Sequence, residues 1–354
     1  MQVLKKHWFL AGLLLFIPLG MLLGKNEPSE VLQTLIKSVP TAVCTGTILF
    51  LMSVTLDSGS LFQSLRKPLP VLLACSVNQL CIPLLCLPLL LLQKSSDLRV
   101  GLLIAASVPC TMAAASVWTR RAGGNDAVSL LVTLLTNGCC FVVTPIWMSL
   151  GSEWFGTADA SAGLGFLQMM QRLVLTAFLP ALAGQLLRLN IGAKAAVDRN
   201  KPRISIMAQS IILLLVFVSC FKGGVDFAEK NLGIGLRHAE FLVVWACCIA
   251  LHVAAMGIVW GLSRLLRLNE SDRRAVVIAG SQKTLPIGML VSQATGQPFS
   301  LLPMLMYHAS QLFIDTWVAD CLAARKPPAE ESGQGSQNEL SETGGASATD
   351  GPPD

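Results

Sequence analysis

Ala275-Val-Val-Ile-Ala-Gly-Ser-Gln-Lys283-Thr-Leu-Pro286-Ile-Gly-Met-Leu-Val-Ser292 is the centre of an apolar run that reaches Ala294. A stretch of about 20 apolar residues is long enough to cross a bilayer as a helix. This one carries a cation and a helix breaker three residues apart. A charge at bilayer depth is kept mainly where it faces a wet cavity or a partner. A proline there frees backbone groups that protein or cavity water must satisfy. The run therefore predicts a broken helix lining a polar site, the usual pointer to where a transporter holds its cargo.

Composition agrees. Of 354 residues, 53% are hydrophobic and 13% are charged, against about 25% charged in a soluble domain. The mean hydropathy is +0.61. An integral membrane protein of several spans is expected, with the lipid bilayer as its main partner. The net charge of +5 is no nucleic-acid signal, because the basic residues fall between apolar runs. The 11 cysteines mostly lie inside those runs, as in Cys139-Cys140 and Cys247-Cys248. They read as small buried hydrophobes rather than metal ligands or disulfides. Lys5-Lys6 followed by Trp8 to Leu23 resembles a signal peptide, but no Ala-x-Ala site follows, and a first transmembrane helix is the expectation. No GxSxG, HExxH, P-loop or paired catalytic carboxylates occur, so an enzyme is not expected, nor any organic cofactor.

Ten apolar runs can be delimited: 7–24, 41–57, 69–93, 100–119, 126–150, 165–187, 204–221, 240–263, 274–294 and 299–322. With a cytoplasmic N-terminus, 17 basic residues fall on the cytoplasmic side and 7 on the other, while Arg172 and Lys283 sit inside spans. That bias follows the positive-inside rule. It predicts ten spans in the cell (inner or plasma) membrane with both termini cytoplasmic. The division is helices 1–6 in 1–187, a basic cytoplasmic loop over 188–203, helices 7–10 in 204–325, and a disordered tail over 326–354. Two halves of five spans must enter the membrane in opposite senses, the inverted-repeat plan of many secondary transporters. The fourth span of each half has a proline in a small, polar stretch: Ser107-Val-Pro109-Cys-Thr111 to Ser116, and Gly280 to Pro286.

The candidate residues cluster in these spans. Ser116, Ser129 and Thr133 offer hydroxyls suited to a hard monovalent cation, the last two on one helix face. Singly, each reads more simply as a helix-packing hydroxyl. Lys283, flanked by Gln282 and Thr284, has three readings: a structural lysine capping freed carbonyls, a contact for an anionic substrate, or a group that couples transport to protons by losing and regaining one. In the last span His308, Gln311 and Asp315 share a face beside the only tyrosine, Tyr307. Asp315 is the expected partner of Lys283. Asn78 and Gln79 are candidates for the same cavity. Arg172 is expected to snorkel, His252 to be structural, and Asp57 to close the second span.

Three motifs together resemble the sodium/bile acid symporter family, in the branch of its orphan seventh member and bacterial relatives: Gly-Gly-Asn125-Asp126-Ala-x-Ser129 leading to Val143-Thr-Pro145; Ser281-Gln282-Lys283-Thr284-Leu; and Pro303-x-x-x-Tyr307-His308-x-x-Gln311. The resemblance covers residues 5 to about 325. It implies a panel domain (spans 1, 2, 6 and 7) and a core domain (spans 3–5 and 8–10), with spans four and nine crossing at unwound centres. Cargo would be an organic anion, such as a bile acid, steroid sulfate or small carboxylate. It places Ser116 on an asparagine sodium ligand, Ser129 and Thr133 on hydroxyl ligands, Gln282 on a glutamine ligand, and Asn78 or Gln79 near another. The family's glutamate becomes Ile278 and its asparagine becomes Lys283. The resemblance therefore implies transport of an organic anion; with those two departures, sodium at the Ser116/Ser129/Thr133 site, proton coupling through Lys283 and uncoupled transport are all open. The alternative is a non-transporting regulator or scaffold that keeps the fold. Substrate identity and oligomeric state do not follow from the sequence.

Overall fold

The computed structural model describes residues 8–26, 28–56, 68–112, 114–155, 165–229, 238–297 and 299–324. Asp57 and the segment 326–354 lie outside these. Every element among the described residues is helical: α1 (Trp8–Lys25), α2 (Glu30–Lys37), α3 (Thr41–Val54), α4 (Pro68–Leu90), α5 (Ser96–Ser107), α6 (Ala114–Arg121), α7 (Asp126–Phe155), α8 (Phe166–Leu187), α9 (Ile191–Glu229), α10 (His238–Leu265), α11 (Glu270–Ser281), α12 (Leu285–Thr295) and α13 (Leu301–Ala324). Six spans are long and apolar enough to cross a membrane: α4, α7, α8, α9, α10 and the run from α11 through α12. The pair α2–α3, bent by 48°, makes a seventh if taken as one span.

The helices pack in two groups. In one, α1 and α3 lie against α9, and α3 against α8. The backbones of α1 and α9 come close because glycines meet there: a Cβ on Gly24 would overlap the Phe221 carbonyl, and one on Gly224 would overlap that of Met21. Small residues are how membrane helices achieve such approach without a hydrophobic driving force. The other group contains α4, α5, α6, α7 and α10 to α13. The groups meet where α12 packs on α3 and α8, where α7 packs on α8, and where Phe9 of α1 stands edge-on to His308.

Two local findings differ from the sequence reading. The segment 188–203, expected as a loop, is helical from Ile191 and continues into α9 through Pro202. Its polarity reflected position along the helix, not absence of one. The third span, read as one apolar run over 69–93, widens into a π-helical turn at Val77–Cys81, just before Pro83. Proline removes a backbone donor and crowds the preceding turn, and a π-bulge is one way a helix absorbs that.

Candidate functional site

Both expected breaks are present. α5 stops at Ser107, and Val108 is extended (φ −68°, ψ 156°). Val108 precedes Pro109, whose ring pushes its predecessor out of the helical region. α11 stops at Ser281, with Gln282 (φ −76°, ψ 148°) and Thr284 (φ −89°, ψ 126°) extended. α12 then restarts with Pro286 in its first turn, where a missing N–H costs nothing.

The breaks touch. The Thr284 amide donates to the Pro109 carbonyl at 2.9 Å, and the Thr111 hydroxyl donates to Gln282 Oε1 at 2.7 Å. Nearer the ends of these helices a second set of bonds ties the same segments. The Asn125 amide donates to Ser271 O at 2.9 Å, Asn125 Nδ2 to Asp272 Oδ1 at 2.6 Å, and Arg274 Nη1 to Ala122 O at 2.8 Å. The α11–α12 span is enclosed by protein: every residue of its apolar window is buried.

Lys283 is fully buried in the crossing. Its Nζ donates to Asn78 O at 2.6 Å, Val108 O at 2.9 Å and Asn78 Oδ1 at 3.4 Å. Its backbone is clamped by Gln311, which accepts from Lys283 N and donates to Lys283 O, both at 2.9 Å. Gln311 also meets His308 Nδ1 at 2.9 Å. Asn78 faces the ammonium because its own amide nitrogen donates to Gln282 O at 2.8 Å and Gly280 O at 3.3 Å.

The expected Lys283–Asp315 pair does not form; no ion pair among the described residues includes Lys283. Asp315 is buried against His252 (Oδ1 to Nε2, 2.9 Å) and accepts from Gln282 Nε2 at 2.5 Å. The reason is local. Successive side chains of an extended segment point to opposite sides, so Gln282 reaches α13 while Lys283 reaches α4 and α5. His252 Nδ1 faces Ser281 O at 3.2 Å, an oxygen that also accepts from Tyr307 at 2.9 Å. A carbonyl only accepts, so the Nδ1 that faces it is the ring nitrogen that carries the proton.

The hydroxyls divide. Thr133 donates to Thr111 O at 3.1 Å, which brings it to the same residue as Gln282. Ser116 instead donates to Asp126, which also pairs with Arg120 at 2.6 Å. Ser129 is buried and its hydroxyl has no partner among the described residues; the same holds for Thr284 Oγ1. Gln79 lies beside Asn78, its Nε2 on Thr136 O at 3.2 Å and its carbonyl accepting from Trp147 at 2.8 Å. Its Oε1 has no partner among the described residues.

Three further residues contribute. His252, read as structural from the sequence, holds Asp315. Thr111 and Asp126 were quoted only as parts of motifs, since their individual contacts depend on which elements meet.

Residues 7–324 match the SBF-like CPA transporter family. Among curated proteins, an uncharacterized protein of Pseudomonas aeruginosa is 27% identical over 255 residues, covering 68% of this chain and 71% of the relative. The "probable sodium/metabolite cotransporter BASS4, chloroplastic" of Arabidopsis thaliana is 25% identical over 235 residues, 62% of this chain and 51% of the relative. Sodium/bile acid cotransporter 7 of Xenopus tropicalis is 22% identical over 327 residues, 89% of this chain and 91% of the relative. With nearly the whole described chain matched, and two touching helix breaks at its centre, this protein belongs to the SBF-like CPA transporter family.

Proposed function

We propose that the chain is a secondary-active transporter of an organic anion, working by alternating access at the crossing of the two broken helices. In this reading it spans the cell membrane ten times, with both ends cytoplasmic. The six long spans are joined by α1, the bent pair α2–α3, the interrupted pair α5–α6 and α13. The halves form inverted repeats, each with its break in the fourth span.

The observation that carries the proposal is a buried ammonium between two interrupted helices, without an ion-pair partner among the described residues. The first turns of α6 and α12 begin at the breaks, and helix N-termini favour anions. Thr284 caps α12 without a side-chain bond, leaving its hydroxyl for cargo. Lys283 supplies its field rather than direct hydrogen bonds, because its three donors are already engaged. For coupling, the open Ser129 hydroxyl supports a single sodium ion near Ser129 and Thr133, with Gln282 close by through Thr111. The same three-oxygen engagement speaks against proton coupling through Lys283.

Reconstituted protein in vesicles tests this directly. Labelled carboxylates and organic sulfates should accumulate under an inward sodium gradient, and Ser129→Ala should lower the sodium stimulation at least tenfold. Accumulation driven equally well by a proton gradient without sodium would overturn the coupling. Failure of every anion under both gradients would favour a scaffold that only keeps the fold.

A further inference from the structure

We infer that the Lys283 ammonium is a tethered monovalent cation filling a built oxygen site, so that removing its side chain creates a binding site for a soluble alkylammonium or alkali cation. The inference concerns the crossing itself and does not rest on the identity of any cargo.

The site has the chemistry of a cation cage. Its oxygens are two backbone carbonyls and one amide oxygen, Asn78 O, Val108 O and Asn78 Oδ1, at 2.6, 2.9 and 3.4 Å from Nζ. Each carbonyl has been released from helical bonding by its own irregularity: Asn78 lies in the π-helical turn of α4, and Val108 at the break after α5. Oδ1 is aimed inward because Nδ2 is committed to Gln282 O and Gly280 O. Rings of carbonyl oxygens that replace a hydration shell are how membrane proteins hold bare monovalent cations.

Among the described residues Lys283 also has no counterion. The one buried carboxylate nearby, Asp315, is taken by His252 and Gln282. An ordinary structural lysine in a dry interior is paired with an acid; this one is held by dipoles alone. Three separate elements supply or carry the groups, so the ammonium also fastens α4, α5 and the α11–α12 junction to one another. A positioned ion would fasten them in the same way.

The test uses full-length protein in detergent and reads thermal unfolding, so it does not depend on transport. Lys283→Ala removes a propylammonium group. We expect the variant to melt well below wild type in choline chloride. Propylammonium, ammonium or potassium should then raise its melting temperature saturably by several degrees, with no such rise in wild type. A variant whose melting does not respond to any of these cations beyond the wild-type response would overturn the inference. Should Lys283→Ala fail to fold in every salt, Lys283→Met decides, since it fills the space without charge. Wild-type stability in Lys283→Met would show that the oxygens need no cation and would also overturn the inference. A strongly lowered melting temperature would uphold it. Uptake measured separately distinguishes loss of this site from failure of the transporter reading: wild type can transport whether or not the variant binds a cation.

Discussion

Asp315 and His252 show how one side chain's commitments fix its neighbours. The pair is fully buried, and Gln282 bridges from it to Thr111 across the two breaks. Removing one member of a buried pair leaves the other uncompensated, at a cost of about 3–5 kcal/mol. Asp315→Asn and His252→Ala should each lower stability by roughly that amount, while the double variant should lose clearly less than the sum of the two. Thermal unfolding of the three variants measures the coupling, and strict additivity would mean that the two side chains act independently. At this scale the sequence was half legible. Lys283 stood out because a charge in an apolar run has few explanations. Its partners did not, because the direction of a side chain in an unwound segment depends on where the unwinding begins. One residue of difference exchanges the surroundings of Gln282 and Lys283.

Among the elements, prolines set the breaks and backbone contacts stitch them together. Pro109 acts on Val108, holding its carbonyl toward Lys283, and offers its own carbonyl to Thr284. With Pro109→Ala, α5 is free to continue past Ser107, and both bonds would be lost. At roughly 1 kcal/mol net for an ordinary hydrogen bond and more for a charged one, the variant should be about 2–4 kcal/mol less stable in denaturant or thermal titration. Uptake should fall more steeply than stability, because the Thr284 end of the crossing moves with the break. Unchanged melting would show that α11 and α12 hold their shape without α5. The breaks were readable because proline in a polar stretch of a span is a strong local signal. The π-helical turn at Asn78 was not, since one extra residue in a turn leaves the apolar pattern almost intact. The helix through 191–203 was missed for the opposite reason: a polar, basic composition marks the end of the membrane, not the end of the helix.

Of the six long spans among the described residues, five leave part of their apolar window exposed and one leaves none. Exposed leucines mark α1, α4, α8 and α9, whereas the apolar window of α11–α12 is wholly enclosed, although its hydropathy of 1.3 equals that of the exposed α8. This enclosure was not legible in the sequence, because it is a property of neighbours. It bears on biogenesis. A segment bearing a lysine and two extended residues partitions poorly into lipid unaided, so it should enter the membrane only once α4, α5 and α10 are there to receive it and α13 has been synthesised to close it in. A glycosylation reporter fused after Gly296, in chains ending there, should show the α11–α12 span largely uninserted, whereas fusions beyond Ala324 should show full insertion. On that expectation nascent chains pass through an interval in which the two helix breaks have not yet met, and Lys283 stands outside the bilayer, accessible to chaperones and to quality-control proteases.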